Sequence, residues 1–298
     1  MTGAPTVVVV GDAGLDIVAR HAVPIVGGAD IRARIEQSPG GAGANTAAWL
    51  AHLGGDPMLV ARVGDDTAGT EVLAELTASG VRCAFAVDPV APTCRVVVLV
   101  EESGQRTMLS DRGANAWLRG DDLDPALLSS ARHLHLSGYV LLDESSRQAG
   151  LDVLAAARTA GISTSVDPQA APMIHDRVAF LDAVHGVDLL LPNMDELAAL
   201  TGSTDPESAR ALLDDVGVVA VTDGAAGAYW VTRDVIEHVP APEVDVVDST
   251  GAGDAFDAGL LIAWLAGATP REALTGGVTA GSAAVRRVGA RPPQPSIT

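Results

Sequence analysis

The chain has 298 residues, 48% of them hydrophobic and 19% charged, which supports a buried core and excludes an intrinsically disordered chain. Acidic residues outnumber basic ones 38 to 19, giving a formal charge of -19 that excludes nucleic acid and anionic membrane surfaces as partners. All 19 basic residues are arginine, so a P-loop lysine, a protein-kinase strand lysine and a pyridoxal Schiff base are excluded, and any phosphate chemistry must use arginine, backbone amides and a metal.

In chain order, residues 6–10 form a β-branched run ending in Gly11 and predict a strand buried on both faces. A helix is expected over 45–53, before Gly54-Gly55, then a strand over 58–62 and a helix over 70–79 stopped by Gly80. Residues 133–136 read as a strand and 149–160 as a helix with Gly161 as its stop. Strands follow at 162–166, 188–191 and 218–222, and helices at 254–265 and 271–285. This alternation predicts one α/β domain over residues 1–298, with a mostly parallel sheet covered by helices on both faces. Two stretches break the alternation, at about 12–37 and 91–113, and the second carries a hairpin signal at Ser103-Gly104. Both are expected in a small β-lid. A Pro-rich tail occupies 291–295.

Met1-Thr2-Gly3-Ala4-Pro5 does not resemble a leader, and no apolar run reaches the roughly 18 residues of a membrane span. Cys83 and Cys94 read as reduced thiols. These features lead to the expectation of a cytoplasmic protein. The seven histidines lack metal-site spacing, so His133 and His135 are expected to pack or to face solvent.

Four motifs carry chemistry. In Asp248-Ser249-Thr250-Gly251-Ala252-Gly253-Asp254-Ala255-Phe256, small residues run directly into a helix. The N–H groups of Gly251, Ala252 and Gly253 suit an anion such as a transferring phosphoryl group. Asp254, on the first helical turn, can accept a proton from a hydroxyl, and the helix end should keep it ionised. The same residues also read as an ordinary Asp-capped, Gly-rich loop.

Pro39-Gly40-Gly41-Ala42-Gly43-Ala44-Asn45-Thr46-Ala47 is a second Gly-rich helix start, or simply a tight turn with an Asn cap. It is no dinucleotide fingerprint, because Thr46 stands where the third Gly belongs. Asn193-x-x-Glu196 is a capping box by its residue types, and equally a place where one carboxylate organises Mg²⁺ and water. Val221-Thr222-Asp223-Gly224-Ala225-Ala226-Gly227 ends a strand where open α/β sheets bind ligands, or makes a hairpin turn.

The joint order of these motifs resembles the ribokinase-like (PfkB) carbohydrate kinases over nearly the whole chain. The resemblance implies a three-layer α/β sandwich with a β-sheet lid. It implies ATP-dependent phosphorylation of a hydroxyl on a small sugar, with Asp254 as general base and Gly251, Ala252 and Gly253 as the anion hole. Asp16 matches the substrate-hydroxyl ligand, with Asp12 in the same segment. Gly40, Gly41 and Asn45 match further substrate contacts. Asn193 and Glu196 match the phosphate and Mg²⁺ element, Glu196 acting through water. Thr222, Gly224 and Gly227 match nucleotide contacts. Arg106 and Arg112 are candidates for further positive charge at the acceptor, or solvated lid residues. Asp248 and Thr250 match two ligands of a monovalent cation such as K⁺. The lid implies a homodimer. Three departures stand out: Ala42 where the ribokinase-like pattern has Lys, Gly14 where it has Asn, and no Ser in 287–293 for the cation site.

The stretches 13–37 and 92–112 contain no Phe, Tyr or Trp, which favours a sugar over a nucleoside of the adenosine or pseudouridine type. A non-catalytic binding protein on a kinase fold stays open. A nucleotide-cofactor oxidoreductase is disfavoured, because Gly11-Asp12-Ala13-Gly14-Leu15-Asp16 lacks its glycine pattern.

Overall fold

Four consecutive valines, Val7 to Val10, divide alternately between two separate cores. In the computed structural model, which describes residues 6–102 and 106–293, they form strand β1 (Thr6–Val10). Side chains on a strand alternate between its faces, so an all-apolar run requires cover on both.

The remaining strands are β2 (Gly14–His21), β3 (Arg34–Gly40), β4 (Asp56–Gly64), β5 (Arg82–Asp88), β6 (Cys94–Glu101) and β7 (Arg106–Asp111), then β8 (Ala131–Ser137), β9 (Ser163–Asp167), β10 (Val187–Leu190), β11 (Val216–Thr222), β12 (Ala228–Val231) and β13 (Ile236–Val239). The helices are α1 (Ala42–His52), α2 (Thr67–Ala78), α3 (Pro125–Leu128), α4 (Tyr139–Leu142), α5 (Arg147–Ala160), α6 (Arg177–Val184), α7 (Met194–Thr201), α8 (Ala252–Leu265) and α9 (Pro270–Ala284).

Nine strands form the large sheet, in the order β13-β12-β11-β10-β9-β8-β1-β4-β5. Pairing is parallel from β11 to β5, while β12 and β13 return antiparallel. Trp49, Leu76, Leu260 and Leu274 fill the core under α1, α2, α8 and α9. Leu154, Phe180 and Leu197 fill the core under α5, α6 and α7. Strand β1 lies between β4 and β8, so connections leave it in opposite directions and the carboxyl ends of the strands open a crevice there.

The second sheet has four strands in the order β3-β2-β6-β7. The stretches that broke the alternation supply them, with β3 continuing to Gly40. The expected turn at Ser103-Gly104 lies outside the described residues, as do the first five residues and the end of the Pro-rich tail.

The sequence reading differs from the structure in detail. Helix α1 starts at Ala42 with Gly41 as its N-cap, so Asn45 is not the helix start. Strand β5 and helix α6 were not marked by sequence periodicity. His133 and His135 pack: both are fully buried, with Ser163 and Ser165 hydroxyls 2.7–2.8 Å from their ring nitrogens. Burial pushes their pKa values down to about 3 and about 4, so both are neutral. Cys83 and Cys94 are free thiols. Among the described residues, no helix is long and apolar enough to cross a membrane.

Candidate active site

Two helices with glycine N-caps, α1 and α8, meet at the crevice. Gly41 precedes α1 with φ 91, and a Cβ there would lie 2.5 Å from the Asp12 carbonyl oxygen. Gly251 precedes α8 with φ 75, and a Cβ there would lie 2.7 Å from Ala290 Cα. Only glycine fits both the left-handed backbone and the close approach. Gly253 differs: a Cβ there would meet nothing within 4 Å, so this face of the helix start is open.

Asp254 is the third residue of α8 and is 8% exposed. Because Asn45 lies within the first turn of α1 instead of capping it, its side chain is free, and Nδ2 donates to Asp254 Oδ2 at 2.9 Å. Burial pushes the Asp254 carboxyl up to about 6, against the pull of the Asn45 and Gln169 amides and the charge of Arg291. Asp254 is therefore still mainly ionised at neutral pH, as its position at the helix end suggested, but with its pKa raised from the ordinary carboxylate value. Desolvation outweighs a terminal dipole that acts over one turn.

A cavity of about 170 Å³ is lined by Asp254, Gly251 and Gly253 on one side, and by Asn193, Glu196 and Thr222 on the other. Asp167, Gln169 and Asp257 complete its wall. Glu196 closes the capping box: its Oε2 accepts from the Asn193 N–H at 2.8 Å, and its Oε1 accepts from Asn193 Nδ2 at 2.7 Å. The cap and the functional position are thus the same residues. Burial pushes Glu196 up to about 7, and burial with mutual repulsion holds Asp167 and Asp257 well above the usual carboxylate range. Four carboxyl groups share this wall, yet among the described residues no group of His, Cys, Asp and Glu is arranged to hold a metal ion directly. Both Glu196 oxygens already accept hydrogen bonds from Asn193, so a divalent cation here would be reached through water.

A larger cavity, about 580 Å³, lies between the small sheet and residues 246–250 and 288–290. Asp16, Ser38, Arg106 and Asp248 provide polar wall, and Val18, Val98, Val100, Val246 and Val247 provide apolar wall. No aromatic side chain lines it. Burial pushes the Asp16 carboxyl up to about 6, with Arg291 opposing and the Asp254 charge reinforcing the shift. Gly40 lies against the Asp16 carboxyl, leaving no room for a side chain.

Other expected residues fall elsewhere. Asp12 is buried and lines neither cavity; its Oδ1 accepts from Arg112 at 2.7 Å. Arg112 also reaches Asp143 and the Tyr139 carbonyl, so its charge is satisfied there and is not aimed at the acceptor. Gly224 and Gly227 shape the β11–β12 turn and line neither cavity. Arg106 is half-buried and is not free. It donates to Asp248 Oδ1 at 2.7 Å, to Ser249 Oγ at 2.6 Å and to Thr250 Oγ1. The two side chains matched to a monovalent cation, Asp248 and Thr250, therefore already face a positive charge.

Sequence reasoning missed Arg291, Asp167, Gln169 and Asp257. Arg291 is half-buried, its side chain 9% exposed, and it donates to the carbonyls of Ala44 at 2.7 Å and Gly40 at 3.3 Å, tying the C-terminal segment to the start of α1. Its surroundings in sequence are proline and small residues, which carry no such signal. Asp257 had one: it lies three residues after Asp254 and so on the same helix face.

The family model for pfkB carbohydrate kinases matches residues 4–297. The chain is 34% identical over 264 residues to a fructokinase of Klebsiella pneumoniae, covering 85% of this chain and 82% of that protein. Its fold matches the adenosine kinase of Sinorhizobium meliloti with a TM-score of 0.89 and 26% identity, over 97% of this chain and 96% of the other. It matches the ribokinase of Arabidopsis thaliana, solved with ribose and ATP, with a TM-score of 0.81 and 28% identity, over 96% and 94%. The three-layer sandwich with its small second sheet is the ribokinase fold, and the chain belongs to the pfkB family of carbohydrate kinases.

Proposed function

We propose that the chain transfers the γ-phosphoryl group of ATP to a hydroxyl of a small sugar, with Asp254 as general base. One observation carries this reading. Asp254 stands on the wall of the smaller cavity beside the open face of Gly253, and the Asn45 that holds it follows directly on Ala44, whose carbonyl shares Arg291 with that of Gly40, the residue against Asp16 on the wall of the larger cavity. The nucleotide tail would occupy the smaller cavity, near Thr222 and Asn193, and the acceptor the larger one.

Asp254 takes the hydroxyl proton as the acceptor oxygen bonds to the γ-phosphorus and the bond to ADP breaks. Charge builds on the transferring oxygens, and the Gly251 and Gly253 amides at the start of α8 would face it; Ala252, expected beside them, gives its N–H to the Ser249 carbonyl at 3.3 Å and lines neither cavity. Mg²⁺, held through water by Glu196 with Asp167 and Asp257 nearby, would neutralise phosphate charge when bound. Asn45 orients the base, while Asp16 and the Gly40-Gly41 backbone position the acceptor hydroxyls. A monovalent cation at Asp248 and Thr250 has no place in this reading, because Arg106 meets both side chains.

The small sheet would act as a lid, excluding water from the phosphoryl group. Its exposed Ile35, Met108 and Leu109 support a contact between two copies of the chain. The free thiols of Cys83 and Cys94 suit a reducing cytoplasm.

A sugar is favoured because the larger cavity lacks an aromatic surface for a base. Its valine wall supports a nucleoside as the second reading. Turnover should be measured with ribose, fructose, 2-keto-3-deoxygluconate, adenosine and pseudouridine. The expected result is strong activity on a sugar. Strong activity on nucleosides alone would reverse the preference, and no ATP turnover with any acceptor would favour a non-catalytic binding role.

A further inference from the structure

Arg106 of β7 reaches from the small sheet to the loop that precedes α8. Its guanidinium meets three successive residues, Asp248, Ser249 and Thr250, immediately before the Gly251 N-cap.

Asp248 meets four donors. Its Oδ1 accepts from the Thr250 N–H at 2.9 Å, the Thr250 hydroxyl at 2.6 Å and Arg106 at 2.7 Å, while its Oδ2 accepts from the Gly289 N–H at 3.1 Å. Each carboxylate oxygen offers about two acceptor positions, so Oδ1 is crowded and Oδ2 keeps room for one further partner. Its single negative charge is met by a guanidinium that stays protonated at any working pH. An added cation would have to displace a charge already tethered beside its partner, at high effective concentration.

The contact also bears on the phosphoryl site. The Ser249 carbonyl accepts from the Ala252 N–H at 3.3 Å, so loop and helix start move as one. The Val247 and Asp248 N–H groups are fixed on the Val285 carbonyl at 2.8 and 3.2 Å. Three segments, from β7, from 246–250 and from 285–289, thus converge on Asp248.

We propose that Arg106 is a built-in cation for this loop: it takes the place of a monovalent ion, and it couples the position of the small sheet to the amides at the start of α8. Arg106 is a positioning residue in this scheme and touches no reacting atom. It differs from a bound ion in being carried by the sheet that covers the acceptor cavity, so the loop gains this contact only when that sheet is in place, while Val285 and Gly289 hold it from the other side.

The test compares the full chain with Arg106→Ala and Arg106→Lys in buffers whose sole monovalent cation is tetramethylammonium, Na⁺ or K⁺. Thermal unfolding is read without substrate, and phosphoryl transfer is read with the best acceptor. The activity arm rests on the phosphoryl-transfer reading above; the thermal arm does not, so failure of one is distinguishable from failure of the other. The unaltered chain is expected to show the same melting temperature and rate in all three cations. Arg106→Ala should lose about ten- to hundredfold in kcat and acquire a saturable response to K⁺ in both readouts, with partial rescue by free guanidinium. Arg106→Lys keeps a charge and should remain independent of K⁺; it carries the test if the alanine variant does not fold. A saturable rise in melting temperature and a severalfold activation of the unaltered chain by K⁺ would overturn the proposal. So would an Arg106→Ala variant that keeps full rate and gains no cation response.

Discussion

Asn45 and Asp254 are 209 residues apart in the chain and are joined by a 2.9 Å hydrogen bond between the first turns of α1 and α8. That bond ties the glycine-rich start of α1 to the carboxyl group at the start of α8. It favours the ionised form of a carboxyl group that burial pushes up to about 6.

Replacing Asp254 with Asn removes the proton acceptor at nearly constant volume. We expect kcat to fall about a hundred- to ten-thousandfold with the fold retained by circular dichroism. Near-normal transfer in a folded Asp254→Asn variant would show that another group is the base.

The pH dependence follows from the direction of the shift. Asp254 ionises at about 6 in the folded chain, against 3.8 for the ordinary group. The rate needs the ionised form, so kcat/KM should be half-lost near pH 6 and fall further below it. Stability runs the other way. Between pH 4 and 6 the folded state holds a proton that the unfolded state has released, so this group's contribution to stability declines as pH rises through that window. Asp254→Asn should therefore gain stability relative to the unaltered chain from pH 4 to 6 and level off above it. Denaturation at pH 4 and pH 8 measures this; a difference independent of pH would contradict it.

Asn45→Ala removes a donor that favours the charged form of Asp254. The acid limb of the kcat/KM profile should move to higher pH, and KM for the acceptor should rise. An unmoved limb would mean that the bond does not tune the base.

The two glycines of the helix start should respond differently. Gly251→Ala combines a left-handed backbone with contact against Ala290 and should cost about 1–3 kcal/mol of stability. Gly253→Ala meets no atom of the protein, so stability should stay within about 0.5 kcal/mol. Its methyl group would project from the open face where the phosphoryl group is to sit, and transfer should fall about hundredfold. Urea unfolding and steady-state kinetics on both variants separate the two effects.

Glu196→Gln keeps the shape of the capping residue and removes its charge. The concentration of Mg²⁺ giving half-maximal rate should rise about ten- to hundredfold, with a loss of about 1 kcal/mol of stability, because the Gln amide nitrogen cannot accept one of the two hydrogen bonds from Asn193. A large loss of stability without a change in Mg²⁺ response would assign Glu196 to the cap alone.

Much of the architecture could be read from local pattern. The valine run of β1 reports a doubly covered strand, and the glycine stops at 80 and 161 mark helix ends. Strand β5 and helix α6 were not legible. One is an edge strand and the other has eight residues, too short for a clear period. The capping box at Asn193 and Glu196 formed as its residue types demand, but no local rule says that the same carboxyl group will face Asp167 and Asp257 across a cavity.

The sequence by itself determined what depends on neighbours along the chain: the strand and helix alternation, the two glycine-opened helix starts, and the placement of Asp254 on a first turn. The tertiary structure alone decided what depends on distant segments. It buried Asp254 and so raised its pKa, aimed Asn45 at it, brought Arg291 under the start of α1, and set Arg106 on Asp248. The physical reason is that desolvation and ion pairing act through space, while periodicity and capping act through the backbone.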